Sequence, residues 1–342
     1  MTPRGGNSVY TEKGHCFVRS QNVGMGVLLL DEIAHIDDKT HQKQIATEIL
    51  ENDVLLNITG ASIGRTAVAT NVIAGGNVNQ HVCIIRTNDL LNQNYLCNYI
   101  QTKKIQNYIY SLQTGGSREG LNFEQVRSFP ICYPSKVEQI KISHLISLLD
   151  RRIEVQIGLI NKLESLIGGI IERLTAQYPN VRIADCLECH SSTLQENQLN
   201  ETGGYRVYGA NGICGYTDSP GINGDAILIV KDGSGVGNVS YAIGEYSVIG
   251  TSNYLTAKNG YSLRYLYYIL KKFNFAPYKT GMAIPHIYFK DYGRAMVYCP
   301  SFEEQERIAK KLSKIERKIE IERSIKDCCI AQKQYLLQQM FI

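Results

Sequence analysis

The fold of this chain is decided by one stretch, residues 137–178, which has the sequence VEQIKISHLISLLDRRIEVQIGLINKLESLIGGIIERLTAQY. Apolar residues recur along it at spacings that alternate between four and three, the pattern of a coiled-coil helix. A helix of this length would run roughly 60 Å at about 1.5 Å per residue, and its narrow apolar stripe needs a partner. The positions on the stripe, called the seam below, are Ile142, Ile146, Leu149, Ile153, Gln156, Ile160, Leu163, Ile167, Ile170 and Leu174.

A second long helix is predicted because the region around the start of the first one occurs twice. Residues 114–154 align without a gap with residues 280–320, and 12 of the 41 positions are identical. A repeat of this size predicts two similar modules, each followed by a long helix. The second helix begins near Phe302, and its seam positions are Ile308, Leu312, Ile315 and Ile319, then the poorer set Glu322, Lys326, Cys329, Leu336 and Met340.

Each module is predicted to be rich in β-strands. Helical spacing occurs only at residues 95–109 and 263–273 of the two modules. The apolar runs at residues 54–59 and 226–230 indicate buried strands. Both runs are followed by a pair of glycines, Gly60 and Gly64 in the first module and Gly233 and Gly237 in the second.

The two long helices are expected to pack antiparallel, because residues 180–187 are too short for the return connection that parallel packing needs. The predicted fold class is α+β, with two β-rich domains in a pseudo-two-fold arrangement, separated by two long antiparallel coiled-coil helices. Two domains related in this way suit B-DNA, whose own dyad presents two half-sites of opposite orientation. The predicted boundaries are residues 1–134 and 180–300 for the domains, and residues 135–179 and 301–342 for the helices.

Length, composition and charge limit the class of protein. With 342 residues the chain can form two hydrophobic cores, and no run of about 18 apolar residues could span a membrane. The first ten residues lack the apolar core of a signal peptide, so a cytoplasmic location with reduced cysteines is expected. The net charge of +4 permits nucleic-acid binding without arguing for it.

Two local patterns suggest other chemistry. Cys186, Cys189 and His190 have the spacing of a c-type haem attachment site, but that chemistry requires export. A zinc site would need a second ligand pair of the same kind, so a chance match is favoured and no metal is expected. Residues 233–237 resemble a phosphate-binding turn, but an extended segment follows them instead of a helix. A nucleotide-binding enzyme therefore remains an alternative of low rank.

The segments around the glycines and the helix starts carry a resemblance to a known family. They are residues 55–65 (LLNITGASIGR), 77–82 (NVNQHV) and 208–212 (YGANG), with Pro134 before Glu138-Gln139 and Pro300 before Glu304-Gln305. Over nearly its whole length, the chain resembles the specificity subunit of a type I restriction-modification system.

This resemblance implies two target-recognition domains that each read one half of a bipartite DNA target, with the helices setting the gap. It implies no catalytic residue in this chain, and the sequence contains no Asn-Pro-Pro-Tyr methyltransferase motif, Gly-Lys-Ser/Thr phosphate loop or Pro-Asp nuclease motif. The implied partners are double-stranded DNA, two modification subunits and restriction subunits. S-adenosylmethionine is expected in the modification subunit, which methylates adenine, and no cofactor is expected in this chain.

The first module departs from the second at its beginning. Aligning residues 17–19 with residues 205–207 places Met1 near His190. We therefore expect the first module to lack an opening strand of about ten residues that the second one has.

Candidate DNA contacts are the polar side chains in predicted loops that can hydrogen-bond to base edges: Arg and Lys to guanine, Asn and Gln to adenine, and hydroxyls to either. In the first module they are Arg19, Gln21, Asn22, Arg65, Asn79, Gln80, Ser117 and Arg118. In the second module they are Tyr208, Asn211, Lys231, Ser234, Asn253, Tyr254 and His286.

Candidate docking residues for the modification subunits are charged or polar residues that recur at matching positions of the two long helices. Recurrence favours a repeated docking surface over an ordinary solvated face. The residues are Glu138, Gln139, Arg151 and Glu154 in the first helix and Glu304, Gln305, Arg317 and Glu320 in the second. The main alternative is a coiled-coil adaptor that joins proteins and does not bind DNA.

Overall fold

The computed structural model describes residues 10–113, 120–281 and 284–341. The chain divides into two compact units, one of residues 1–157 with 324–342 and one of residues 158–323. This division cuts both long helices near their middles, so each unit contains one module and one half of each helix. No helix within the described residues is long and apolar enough to cross a membrane.

The strands of the first unit form two small sheets. They are β1 (Tyr10–Thr11), β2 (His15–Val18), β3 (Ala34–Ile36), β4 (Val54–Asn57), β5 (Thr66–Val68), β6 (Asn77–Val78) and β7 (Val82–Ile85). One sheet has the strand order β1-β3-β2-β6, in which β2 and β6 are parallel and the other neighbours antiparallel. The other is antiparallel with the order β5-β4-β7, so β4 is central and β7 is an edge strand.

The helices of the first unit are α1 (Asp38–Lys43), α2 (Gln93–Ile100), α3 (Lys103–Ser111), α4 (Phe123–Arg127) and the first part of α5 (Lys136–Thr175). The sequence predicted one helical segment at residues 95–109, and this was wrong in one respect. The structure breaks it between α2 and α3 at Thr102, whose hydroxyl accepts a hydrogen bond from the Ile105 backbone N–H at 3.4 Å. A threonine in this role begins a new helix because it satisfies a free N–H of the first turn.

The second unit has two four-stranded sheets and one two-stranded pair. Their orders are β11-β10-β15-β12, β14-β13-β16-β9 and β17-β8. The strands are β8 (Val181–Arg182), β9 (Leu187–Ser191), β10 (Tyr205–Gly209), β11 (Gly212–Thr217), β12 (Ile222–Asn223), β13 (Ala226–Val230), β14 (Val239–Ala242), β15 (Glu245–Val248), β16 (Ser252–Ala257) and β17 (Met296–Val297). The helices are α6 (Ile183–Cys186), α7 (Leu263–Lys272), α8 (Phe289–Tyr292) and the first part of α9 (Phe302–Gln339), together with the last part of α5. The last part of α9 belongs to the first unit.

The apolar runs predicted as buried strands are β4 and β13, and each is buried on both faces. In β4, Val54 and Leu56 belong to the core beneath the helices, whereas Leu55 belongs to the core between the two sheets. In β13, Ile227 contributes to the helix side and Leu228 to the sheet side. A strand that is covered on both faces has no solvent-facing positions, so polar and apolar residues do not alternate along it. This explains why each run is continuously apolar.

The long helices α5 and α9 pack antiparallel within each unit. In the first unit, Asp150 of α5 forms an ion pair with Lys333 of α9 at 2.6 Å, and Ile142 shares a core with Leu337. Residues near the start of α5 therefore contact residues near the end of α9, as antiparallel packing requires. In the second unit, Glu164 pairs with Arg323 at 2.5 Å, and the core is built from Ile160, Ile167, Ile171, Leu312 and Ile319.

The predicted seam is buried, with a shift toward the helix ends. Ile142, Ile146 and Leu149 are buried as predicted, but farther along α5 the most buried residue is Ile171 instead of Ile170. In α9 the buried residue near the end is likewise Leu337 and not Leu336. A helix with about 3.6 residues per turn drifts away from a strict seven-residue repeat, which accounts for the shift.

A buried glutamine joins α5 to the first module. The Oε1 atom of Gln139 accepts a hydrogen bond from the Asn92 N–H at 2.7 Å. Its Nε2 atom donates to the carbonyls of Leu90 and Pro134, both at 2.9 Å. Because Asn92 caps α2 and Pro134 lies two residues before α5, this one amide ties three segments together.

The second unit repeats this arrangement at the start of α9. The Oε1 atom of Gln305 accepts from the Ser262 N–H at 2.9 Å, and its Nε2 atom donates to the Pro300 carbonyl at 2.8 Å. Ser262 caps α7 as Asn92 caps α2. Both glutamines are almost fully buried, so they belong to the interior. The expectation that Gln139 and Gln305 form part of a docking surface was wrong.

A buried tyrosine makes a second repeated contact beside each glutamine. Tyr95 of α2 donates from its hydroxyl to the Cys132 carbonyl at 3.1 Å, and Tyr265 of α7 donates to the Tyr298 carbonyl at 2.8 Å. Burial raises the pKa of Tyr95 to about 12, so its hydroxyl remains a donor at neutral pH. The segment that leads into each long helix is therefore held by two side chains, a glutamine and a tyrosine.

We predict that Gln139→Leu destabilises the protein although it preserves the side-chain volume. It would leave the Asn92 N–H and the carbonyls of Leu90 and Pro134 without their partner, at a cost of about 1–3 kcal/mol. Urea unfolding of the full chain measures this change. The control is Glu138→Ala at the exposed neighbouring position, which should change stability by no more than about 0.5 kcal/mol. Equal stability of the two variants would contradict the role assigned to Gln139.

Candidate nucleic-acid interface

A tight glycine turn follows β4 in the first unit. The Asn57 N–H donates to the Arg65 carbonyl at 2.8 Å, and the Gly64 N–H donates to the Asn57 carbonyl at 2.9 Å. Gly64 has φ +83°, and a Cβ atom there would lie 2.8 Å from Oε1 of Gln106, whose amide donates to the Gly64 carbonyl. Glycine is therefore required, and the turn places the Arg65 side chain in solvent.

Two other segments meet this turn in the first unit. The Ile58 N–H donates to the His81 carbonyl at 2.9 Å, and the Leu121 N–H donates to the Ile58 carbonyl at 2.8 Å. The Thr59 hydroxyl lies 2.5 Å from Nδ1 of His81. These bonds bring residues 79–81 beside Arg65. The segment that begins at Gly120 pairs with the same turn. Ser117 and Arg118, which were predicted as DNA contacts, lie outside the described residues.

The second unit has the same turn after β13. The Val230 N–H donates to the Asn238 carbonyl at 3.0 Å, and the Gly237 N–H donates to the Val230 carbonyl at 2.9 Å. The neighbouring segments are also equivalent, because the Ile287 N–H donates to the Lys231 carbonyl at 2.9 Å. The Gly233 N–H donates to the Pro285 carbonyl at 2.9 Å. Three predicted residues therefore share one region of the second unit: Lys231, Ser234 and His286.

A further loop flanks each turn. It follows β2 in the first unit and β10 in the second, the strands that pair in parallel with β6 and β15. In the second unit, a Cβ atom on Gly235 would lie 3.6 Å from Cβ of Ala210, so the β10–β11 hairpin with exposed Asn211 flanks the turn. In the first unit, the Asn57 side chain donates to the Ser20 carbonyl at 2.8 Å, which places exposed Gln21 nearby.

The hydrogen-bond pattern also fixes how the two modules correspond. The Val18 carbonyl accepts from the Asn79 N–H, and the Tyr208 carbonyl accepts from the Ile249 N–H, both at 3.0 Å. Val18 is therefore structurally equivalent to Tyr208. The alignment expected from the sequence was wrong by two residues at this point. With this correction, Gln21 and Asn211 occupy equivalent positions.

Three asparagines predicted as DNA contacts are buried, and the structure corrects their role. The Asn22 amide donates to the Leu29 carbonyl at 2.9 Å, while its oxygen accepts from the Arg19 N–H at 3.0 Å. Oδ1 of Asn79 accepts from the His81 N–H at 3.1 Å. The corresponding oxygen of Asn253, on β16, accepts from the Ser191 hydroxyl at 2.9 Å. These amides satisfy internal partners and are not presented to a ligand.

The other candidates are partly accessible. Arg19 is half-buried and donates to the Glu32 carbonyl at 3.2 Å. The ring of Tyr254 stacks on His190 at 4.8 Å, and Tyr208 makes an edge-to-face contact with Tyr246 at 5.6 Å. Gln80 is exposed, and its Nε2 atom lies 3.2 Å from Nε2 of His81.

Two residues of this region were missed among the sequence candidates, Thr59 and His81. Both lie inside the segments that carried the family resemblance, and Thr59 occupies the position next to the turn that Asp232 occupies in the second unit. A signal was therefore available, because each is a polar residue at the end of an apolar run: Thr59 ends the run of residues 54–59, and His81 directly precedes β7. Their mutual contact depends on the sheet register, which the sequence alone does not give.

The two alternative chemistries can be compared with the structure. The turn at Gly233–Gly237 is followed by β14, so its N–H groups do not open a helix toward a phosphate. Cys186 is buried in α6, whereas His190 lies on β9 and bonds to the Thr256 hydroxyl at 3.0 Å. Among the described residues, no group of three or more His, Cys, Asp or Glu side chains could hold a metal ion.

The remaining charged residues predicted for docking lie on the outer faces of α5 and α9. Arg151 and Glu154 are exposed, as are Arg317 and Glu320. Near the helix starts, Glu138 forms an ion pair with Lys141 at 3.7 Å, and Glu304 pairs with Arg307. The Arg307 guanidinium lowers the pKa of the Glu304 carboxyl.

Two β-rich modules with matching turns, each packed on antiparallel long helices, define a duplicated two-module fold. Residues 19–165 and again residues 177–328 match the type I restriction modification DNA specificity domain. The chain therefore belongs to the family of type I restriction-modification specificity subunits.

Solved structures show the same fold. A type I restriction-modification system S subunit from M. genitalium is 18% identical, with a TM-score of 0.70, covering 98% of this chain and 91% of the other. A structure described as the basis of complex assembly and conformational transition of the type I R-M system is 16% identical, with a TM-score of 0.55. That likeness covers 94% of this chain and 90% of the other.

The structure separates exposed candidates from buried ones, and this difference can be measured. Asn253→Ala should destabilise the protein by about 1–2 kcal/mol, because it removes a buried side chain whose oxygen accepts a hydrogen bond from the Ser191 hydroxyl. Arg65→Ala should change stability by no more than about 0.5 kcal/mol, because the side chain lies in solvent. Thermal unfolding of both variants tests the assignment. A stable Asn253→Ala variant with weakened DNA binding would return Asn253 to the contact surface.

Proposed function

We propose that this chain is the non-catalytic DNA-recognition subunit of a type I restriction-modification complex, and that each unit reads one half of a bipartite target. The observation that carries this proposal is that the specificity-domain match occurs twice, at residues 19–165 and 177–328. Each match covers one module with its own glycine turn.

The contacts are assigned to the exposed and half-buried side chains around the two turns. In the first unit, Arg65 can donate to guanine, and Gln21 and Gln80 can form paired hydrogen bonds with adenine. In the second unit, Lys231 and Ser234 lie at the turn, with Asn211 and His286 on the flanking loops. Because the two sets differ in chemistry, the two half-sites should differ in sequence.

The long helices are proposed to set the gap and to dock two modification subunits. The repeated charged positions Arg151 and Arg317, together with Glu154 and Glu320, would give each modification subunit an equivalent surface. One structural relative is described in terms of complex assembly of the type I R-M system, which supports such partners. S-adenosylmethionine would bind in the modification subunits, and restriction subunits would join the same complex.

Half-site assignment is tested by methylation in a reconstituted complex with the modification subunit. Arg65→Ala should relax the sequence preference at the first half-site only, and Lys231→Ala at the second only, each costing about 1–3 kcal/mol per lost base contact. Methylation rates on DNA libraries randomised in one half at a time measure this. Lys43→Ala, an exposed substitution on α1, is the matched control.

Three outcomes would contradict the proposal. A uniform loss over all sequences would identify Arg65 or Lys231 as phosphate contacts. Binding to duplex DNA that shows no sequence preference and no salt dependence would favour the adaptor alternative. Methyl transfer by the isolated chain would refute the non-catalytic assignment.

The helices should act as a ruler between the half-sites. Inserting one heptad into each helix, near Gln156 and near Glu322, keeps the apolar seam in register. It lengthens each helix by about 10 Å at about 1.5 Å per residue, comparable to three base pairs at about 3.4 Å each. We expect the methylated motif to keep both half-sites and to widen its unspecified gap.

The control for the heptad insertion is a two-residue insertion at the same positions. It rotates the seam away from its partner, and we expect assembly to be lost. An active heptad variant with an unaltered gap would show that the modules are positioned by something other than these helices.

A further inference from the structure

The first unit has an open apolar groove beside the edge strand β7. Its volume is about 620 Å³. One wall is formed by five consecutive residues, Cys83–Thr87, and the floor by Leu96 and Ile100 of α2. The opposite wall contains Phe123, Phe129 and Ile131. Among the described residues, no strand pairs with the outer edge of β7.

In the second unit, the equivalent edge is covered by a strand of the chain itself. Strand β13 pairs Ile227 with Leu255 as β4 pairs Val54 with Ile85, so β16 is equivalent to β7. The five residues 253–257 of β16 pair with the five residues 187–191 of β9. They are the counterparts of the five residues that form the open wall in the first unit.

The opposite wall matches as well. In the second unit, the Ile183 N–H donates to the Ala295 carbonyl at 3.0 Å, and the Ala184 N–H donates to the Gly293 carbonyl at 2.9 Å. With the offset of the sequence repeat, Ala295 and Gly293 correspond to Phe129 and Arg127, both of which line the groove. In the second unit, the segment of residues 180–191 therefore fills a space that the described residues of the first unit leave open.

The side chains of the open groove fit a segment of the same chemistry. Phe123 is 59% exposed, whereas its counterpart Phe289 packs against Tyr292 at 5.3 Å. In the second unit, Glu188 lies opposite Thr256, and the first unit has Arg86 at that position. An acidic residue in an added strand would therefore face a cation, although Arg86 also bonds to Asp53 at 2.9 Å.

We propose that the groove of the first unit binds an extended peptide supplied by another polypeptide, which adds a strand antiparallel to β7. The peptide would carry apolar side chains at the positions of Ile183 and Leu187, both buried in the second unit, and an acidic side chain opposite Arg86. An edge strand with free backbone groups and an apolar groove beside it is the usual receptor for such a segment. This site is separate from the glycine turns and does not depend on the DNA-recognition function.

The test uses the full chain and a fluorescent synthetic peptide with the sequence of residues 180–191, under reducing conditions. We expect saturable binding of one peptide per chain, and slower hydrogen exchange at the amides of β7 when the peptide is present. The matched control peptide carries N-methyl groups at Ile183 and Ala184, which removes two backbone donors without reducing apolar character. It should bind at least tenfold more weakly.

Substitutions in the protein locate the site. Phe123→Asp should weaken peptide binding at least tenfold, and Val72→Asp, at a residue 66% exposed elsewhere in the same unit, should leave it unchanged. Equal binding of the N-methylated peptide, protection outside β7, or no saturable binding would overturn the proposal. So would a concentration-dependent dimer that protects β7 without peptide, because the occupant would then be a second copy of the chain.

Discussion

The structure depends on a buried amide at the start of each long helix. Gln139 and Gln305 each accept a hydrogen bond from the N–H of the residue that caps a short module helix, and each donates to the proline carbonyl that precedes the long helix. A buried amide that loses such partners incurs a large desolvation cost, so the helix cannot change direction relative to its module without breaking these bonds. The start of each long helix is therefore held in a fixed direction relative to its module.

The same constraint in both units explains why the repeat is strongest where the helices begin. Proline and glutamine recur at residues 134 and 139 and at residues 300 and 305 because both form part of one hydrogen-bonded joint. The modules themselves differ in the loops around their glycine turns, where Arg65 stands in one unit and Lys231 in the other. Divergence in loops with retention of the joint is the pattern expected when two modules share a scaffold and read different half-sites.

Much of the architecture could be predicted from the sequence, because apolar spacing reports helices and buried strands directly. The seam of α5 and the central strands β4 and β13 were predicted in this way. The roles of polar side chains were harder to predict, because the burial of an amide depends on partners that are distant in the chain. Asn253 looked like a DNA contact, yet it bonds to Ser191, 62 residues away. Gln139 looked like a surface residue, and its partner Asn92 is 47 residues away.

The claim that two diverged modules read two half-sites is tested most directly in cells. Methylome sequencing of cells that carry this gene, compared with cells from which it has been deleted, reports every methylated adenine, whatever the target sequence is. The account predicts one bipartite motif, with two different half-sites and a fixed unspecified gap, that disappears when the gene is deleted. A methylome that does not change on deletion, or a lost motif that is a single uninterrupted site, would contradict it.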